Sequence, residues 1–141
     1  MAFKVLLVED VKTIRTLIVH QLGELGVTQV VTAVDGTEAL TVLTRELDID
    51  LILSDWHMEP MDGLDFCGRI QTLPHIRGRH IPVVFMTNDE RLADPEKRKR
   101  ALQTAHGIGI VDMLIKPFSI EELRDVMVRC SRFAAIALSA A

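Results

Sequence analysis

Tyrosine is missing from this sequence altogether, and Trp56 is its only tryptophan. No aromatic residue interleaves with the one basic run, Lys97–Arg100, so the stacking platform of a nucleic-acid groove is absent there. A solvated helix face, or a dock for an acidic partner, is the better reading of that run. The net charge of −4 gives no global attraction to nucleic acid or to an anionic membrane. The two cysteines, Cys67 and Cys130, fit no metal-ligand spacing, and each falls among apolar neighbours at helical spacing, as packing residues do. Unpaired thiols suit a reducing compartment. No apolar run reaches transmembrane length, and "MAFKVLLVED" enters a strand at once, leaving no room for a signal peptide. A cytoplasmic protein without membrane insertion is therefore expected. There is no Walker sequence, and "GIG" (107–109) precedes a strand and lacks a third glycine, so it is no dinucleotide loop.

What is present is a regular alternation. Five short runs rich in Val, Ile and Leu occur at 3–8, 28–34, 49–54, 81–86 and 111–115. Near-continuous apolarity is what parallel strands covered on both faces require. Between them lie helical patterns. In 12–25, Ile14, Leu17, Ile18, Leu22 and Leu25 share a face before Gly26. Asp35 caps 36–47, and 63–73 carries Leu64, Cys67 and Ile70. Asp94 and Pro95 open a fourth helix. Ser119 and Glu122 form a capping box for a fifth, with Leu123, Val126, Cys130 and Phe133 on its apolar stripe. Five strands alternating with five helices predict an α/β fold with a parallel sheet. The length fits one domain over 1–141, with a core of about 3–134 and a tail at 135–141.

Chemistry gathers where the strands end. Glu9 and Asp10 follow the first, Asp55 ends the third, Thr87 the fourth, and Lys116–Pro117 follow the fifth. In open α/β sheets, ligands bind outside the carboxyl ends of the strands. Asp55 has no basic neighbour in sequence, so its partner must be distant in the chain and near in space. Three adjacent carboxylates repel one another, and a divalent cation removes that conflict. An oxygen-only ligand set favours Mg²⁺ over zinc. A carboxylate beside a metal and a lysine is equipped to attack phosphorus and hold the product's charge.

The stretches "LLVED", "LILSDWHMEPMDG", "VVFMTND" and "IKPFS", in this order and at these strand ends, resemble a response-regulator receiver domain over nearly the whole chain. The resemblance implies a flavodoxin-like, doubly wound, five-stranded parallel sheet of order 2-1-3-4-5. It implies that Asp55 accepts a phosphoryl group from a histidine kinase, a histidine phosphotransfer protein or a small acyl phosphate. Asp10 and Asp55 would ligate Mg²⁺ with the backbone carbonyl of His57, and Glu9 would act mostly through water. Lys116 would bind a phosphoryl oxygen, Thr87 would move toward it as the switch, and Pro117 would shape the following turn through a cis bond. A downstream protein target would use the 95–130 face.

The sequence departs from the family pattern in several places. Met113 stands where an aromatic usually swings inward, so output is expected through backbone shifts of the fourth helix and fifth strand. Asn88 replaces a small residue, and His57 replaces a common asparagine; both are expected to tune phosphoryl lifetime. Pro60 comes one position late, with Glu59 in its usual place. The spacing from Thr87 to Lys116 is long, and the extra residues are placed in 89–95. "HIRGRH" (75–80) reads as an exposed basic loop. Three plainer readings stand beside these. Asp10 and Asp55 would merely cap helices, the chain would be a receiver-like interaction module without phosphorylation, or it would be a fragment of a larger regulator. A metal-dependent phosphatase on small substrates is a further alternative.

Overall fold

The computed structural model describes residues 3–70, 72–73, 81–105, 110–131 and 133. The basic loop expected at 75–80, the glycines at 107–109 and the tail at 135–141 lie outside the described residues. The strands are β1 (Lys4–Val8), β2 (Gln29–Ala33), β3 (Leu51–Asp55), β4 (Val83–Thr87) and β5 (Ile110–Ile115). The helices are α1 (Lys12–Glu24), α2 (Gly36–Arg45), α3 (Gly63–Ile70), α4 (Pro95–Ala105) and α5 (Ile120–Cys130). All strand pairs are parallel, as the alternation of elements predicts, and their order is β2-β1-β3-β4-β5, as the resemblance implies.

The central strands β1, β3 and β4 are largely apolar because their residues face one of two cores. Leu6, Val8, Ile52, Val83 and Phe85 point to the side covered by α2 and α3, against Val42, Leu43, Phe66 and Cys67. Val5, Leu7, Leu51, Leu53, Val84 and Met86 point to the other, against Ile18 and Leu22 of α1 and Leu123, Val126 and Met127 of α5. Burying one such side chain stabilises the fold by roughly 1.5–3 kcal/mol. The alternation explains why β1, β3 and β4 are nearly free of polar residues: in these central strands both neighbours of most positions are inside.

Local chemistry sets the helix ends. Asp35 accepts from the Glu38 amide at 2.8 Å, and Asp94 accepts from Glu96 at 3.2 Å. Ser119 and Glu122 form both bonds of the capping box. Gly26 takes φ +92°, the left-handed conformation that ends α1 and that other residues resist. Three expectations need correction. The apolar stripe of α1 excludes Leu17, which is 56% exposed, because the buried line runs through Ile18 and Leu22. α2 stops at Arg45, and the following Glu46 and Asp48 both accept from the Lys4 ammonium, at 2.8 and 2.9 Å. α3 stops at Ile70, and Thr72 and Leu73 continue as turns with amides bonded three residues back. Cys67 is buried, as packing predicts, and the burial pushes its thiol up to about 12. In the long β4–α4 connection, Glu90–Ala93 form a single 3-10 turn before α4.

Candidate functional site

Sheet order puts the ends of β1, β3, β4 and β5 on one rim. The Glu9 amide still donates to Ala33 of β2 at 3.0 Å, which keeps Glu9 in the sheet with its side chain fully buried. The Asp10 amide donates to Glu9 Oε2 at 3.1 Å, while Asp10 itself is exposed. Arg15, one turn into α1, donates to the Glu9 carbonyl at 2.8 Å and pins this corner. Asp55 ends β3, and the next amide, Trp56, donates to Met86 of β4 at 2.9 Å.

Lys116 closes the group. Its amide donates to the Thr87 carbonyl at 2.7 Å, aligning the ends of β4 and β5. Its ammonium donates to Glu9 Oε1 at 2.8 Å and to Asp55 Oδ1 at 3.0 Å, bonds that reach back 107 and 61 positions. These are the distant partners the Asp55 position requires. Neither aspartate caps a helix: the N-cap of α1 is Val11, which makes no side-chain cap, and Asp62 accepts from the Asp65 amide where α3 starts. Capping therefore does not account for Asp10 or Asp55.

The charges are unbalanced. Burial raises the pKa of Glu9, the hydrogen bond and charge of Asp55 raise it further, and Lys116 opposes them. Burial draws Lys116 down, but Glu9 and Asp55 together outweigh it and leave its pKa raised. One ammonium among three carboxylates leaves an excess of negative charge. Glu9, Asp10 and Asp55 each offer an oxygen within 4.8 Å of the others, so this cluster has the composition and spacing to hold a divalent cation. The all-oxygen donor set, with one member exposed to the incoming ion, fits a hard cation of the Mg²⁺ type.

Thr87 is buried, and its hydroxyl accepts from the Asp89 amide at 3.0 Å. Asn88 and His57 are exposed, and Met113 is buried opposite Phe85 in the β4–β5 register. The Lys116–Pro117 bond is cis, as the resemblance implies, and Glu59–Pro60 is cis as well. Under the rim, Trp56 packs edge-on against Phe85 with centroids 4.9 Å apart. Gly63 allows this packing, because a Cβ there would come within 2.7 Å of Phe85 and 3.0 Å of Trp56. Beside Lys116, Ile14, Leu17, Pro117 and Phe118 line an apolar groove of about 270 Å³.

Residues 5–128 match the family described as the response regulator receiver domain. This chain belongs to that family. Among the curated relatives of this receiver domain, Chemotaxis protein CheY1 of Helicobacter pylori is 30% identical over 122 residues, covering 86% of this chain and 91% of the relative. A probable chemotaxis protein CheY of Rhizobium etli is 31% identical over 121 residues, with 86% of each chain covered. The solved structure of the chemotaxis response regulator CheY4 of Vibrio cholerae superposes with a TM-score of 0.75 at 30% identity, covering 92% of this chain and 98% of that one. The receiver domain of a sensor histidine kinase from Pseudomonas aeruginosa, solved with a magnesium ion coordinated in its active-site cleft, gives a TM-score of 0.73 at 28% identity. It covers 92% of this receiver domain and 98% of its own chain.

Sequence reasoning missed three parts of the receiver's rim. The Arg15 bond to Glu9 has no local pattern to announce it. The direct Lys116–Glu9 pair was hidden because Glu9 read as a water-mediated metal ligand. The third was legible in principle: Asp89, followed two residues later by Arg91, is a side-chain turn motif. Asp89 accepts from the Arg91 amide and Nε at 3.0 Å and from Nη2 at 2.8 Å. That guanidinium, with a smaller contribution from His57, holds the Asp89 carboxyl down at about 2.

Proposed function

We propose that this receiver domain, a single unit over 1–141, accepts a phosphoryl group on Asp55 and changes conformation to control a protein partner. The observation that carries the reading is the Lys116 ammonium, bonded to Asp55 and Glu9 within an all-carboxylate cluster. An Asp55 oxygen attacks phosphorus, an O–P bond forms, and the P–N bond to the donor histidine breaks, leaving a neutral imidazole once a proton is taken up. With acetyl phosphate the P–O bond breaks and acetate leaves.

The Lys116 ammonium, already 3.0 Å from Asp55, is placed to bind an oxygen of the transferred group. Asp10 and Asp55, with the His57 carbonyl and with Glu9 acting through water, would hold Mg²⁺. Its chemistry when bound is to offset the charge shared by carboxylate and phosphoryl oxygens. Thr87 offers the hydroxyl that responds to the new group. Asn88 and His57, both exposed at the mouth, would tune how long the acyl phosphate survives. The phosphodonor is a histidine kinase or a histidine phosphotransfer protein, and the apolar groove beside Lys116 offers it a surface. The 95–130 face would meet the downstream target. Among the described residues no helix is long and apolar enough to cross a membrane, which is consistent with a cytoplasmic switch.

A second reading, a receiver-shaped interaction module that is never phosphorylated, draws on Met113, which leaves the family's usual aromatic position without a ring. Intact mass after incubation with acetyl phosphate and Mg²⁺, beside Asp55→Asn, separates the two. A Mg²⁺-dependent single phosphoryl adduct that vanishes in the variant is expected. No adduct, together with no Mg²⁺ response in Trp56 fluorescence, would leave the interaction module.

A further inference from the structure

With Met113 buried opposite Phe85, no aromatic ring is available at that position to carry a change at Thr87 to the outer face. A different connection is built into the β4–α4 segment. The Thr87 hydroxyl accepts from the Asp89 amide at 3.0 Å. The Asp89 carboxylate is held by three donors of a single residue: the Arg91 amide and Nε at 3.0 Å on Oδ1, and Nη2 at 2.8 Å on Oδ2. The Leu92 amide donates to the Asp89 carbonyl at 3.0 Å and opens the 3-10 turn. The Leu92 side chain packs on the core that contains Phe85 and Met113, and the turn itself touches β5. Asp94 ends the turn and accepts from the Arg98 amide through its carbonyl at 3.0 Å, at the start of α4.

These bonds run without a gap from the rim to α4. A two-pronged guanidinium–carboxylate pair fixes orientation as well as distance, which a single bond does not. We propose that Asp89 and Arg91 form a rigid coupling that carries displacement of the Thr87 hydroxyl to the 3-10 turn, and through Leu92 and Asp94 to the core at Met113 and to the start of α4. Arg91 is then a positioning residue, outside the pocket, and the turn does the work for which other receivers use a ring. The inference rests on the reading of Asp55 as acceptor and Thr87 as the responding group.

The test uses the full chain with Mg²⁺ and beryllofluoride, an aspartyl-phosphate mimic, in three forms: wild type, Arg91→Ala and Arg91→Lys. Binding is read by Trp56 fluorescence, and the response by backbone amide shifts. Wild type is expected to bind and to shift amides at Thr87, at Leu92–Arg98 and at Met113. Arg91→Ala should bind within about twofold and keep the Thr87 shift. Its shifts at Leu92–Arg98 and Met113 should fall by half or more. Arg91→Lys, which keeps the charge but loses the fork, should fall between. Wild-type shifts at Leu92–Arg98 in both variants would overturn the coupling and leave the acceptor reading intact. A loss of binding beyond tenfold in either variant would also overturn it, by placing Arg91 in the pocket. Failure of wild type itself to bind would overturn the acceptor reading, and the coupling with it.

Discussion

The two halves of the rim are held together by opposite means. Around Glu9, Asp55 and Lys116 the bonds join residues 61 and 107 positions apart, and the side chains are buried or nearly so. From Thr87 to Asp94 the described side-chain bonds join residues only two positions apart, and the Arg91 side chain is 79% exposed. A centre fixed by distant parts of the chain moves only if the fold moves. A segment fixed by its own neighbours can shift as a body while the fold stands still. The molecule thus separates the buried centre where charge is held from a neighbouring segment whose side-chain bonds are local.

The largest effect should come from breaking the buried half. Lys116→Met leaves Glu9 buried without its cation and should cost roughly 3 kcal/mol near neutral pH, the low end for a broken buried pair because Glu9 can take up a proton. The sign follows from that proton. Glu9 already has a raised pKa, so its favourable contribution is full in acid, below its ordinary value, and is lost as pH rises through the folded value. Urea melts of the variant should therefore show a deficit that shrinks toward pH 5 and grows toward pH 8. A deficit independent of pH would mean that the centre is not electrostatically coupled.

Next comes Gly63→Ala, which pushes a methyl group to 2.7 Å from Phe85 beneath the rim. A cost of about 1–3 kcal/mol is expected, as for other overpacked cores. Gly36→Ala is the control: its Cβ meets the flexible end of Met61 at 2.8 Å, so the same melts should show a smaller loss.

Asp94→Ala probes the local half. It removes the bond to the Glu96 amide and should cost about 1 kcal/mol. Amide exchange should quicken in α4 and stay unchanged in β1 and β3. The smallest effect is a null one. The Asp89–Arg91 pair should persist from pH 8 to pH 4, since a lowered carboxyl pKa contributes stability that is lost only as pH falls toward about 2. An Asp89 carboxyl carbon shift that titrates near pH 4 would show the pair to be absent in solution.

The fold was readable because the central strands β1, β3 and β4 are nearly continuously apolar and three of the five helices carry their own start signal. Asp35, Asp94 and Ser119 announce α2, α4 and α5 at the residue where each begins. Ile18 and Leu17 show the limit of periodicity: adjacent on the same stripe, one is buried and the other exposed, because only the packed neighbours decide which edge of a stripe is covered. The acidic rim was readable from strand ends alone, since parallel strands bring their carboxyl ends together. The partners of the Lys116 ammonium were not, because choosing among carboxylates is a matter of ångströms that no spacing encodes. Asp89 and Arg91 passed unread since an exposed Asp-x-Arg is common, and its meaning comes from the Thr87 hydroxyl at its side.

The reach of the Lys116 ammonium also sets an order in time. Glu9 leaves the ribosome 107 residues before its cation does, a wait on the order of ten seconds at ordinary rates of synthesis. Through that interval the growing chain carries its acids without the lysine that pairs with them. β5 must then dock on β4 before the Lys116 amide can reach the Thr87 carbonyl and bring the ammonium to the rim. The acidic rim therefore gains its cation only as the last strand is laid down.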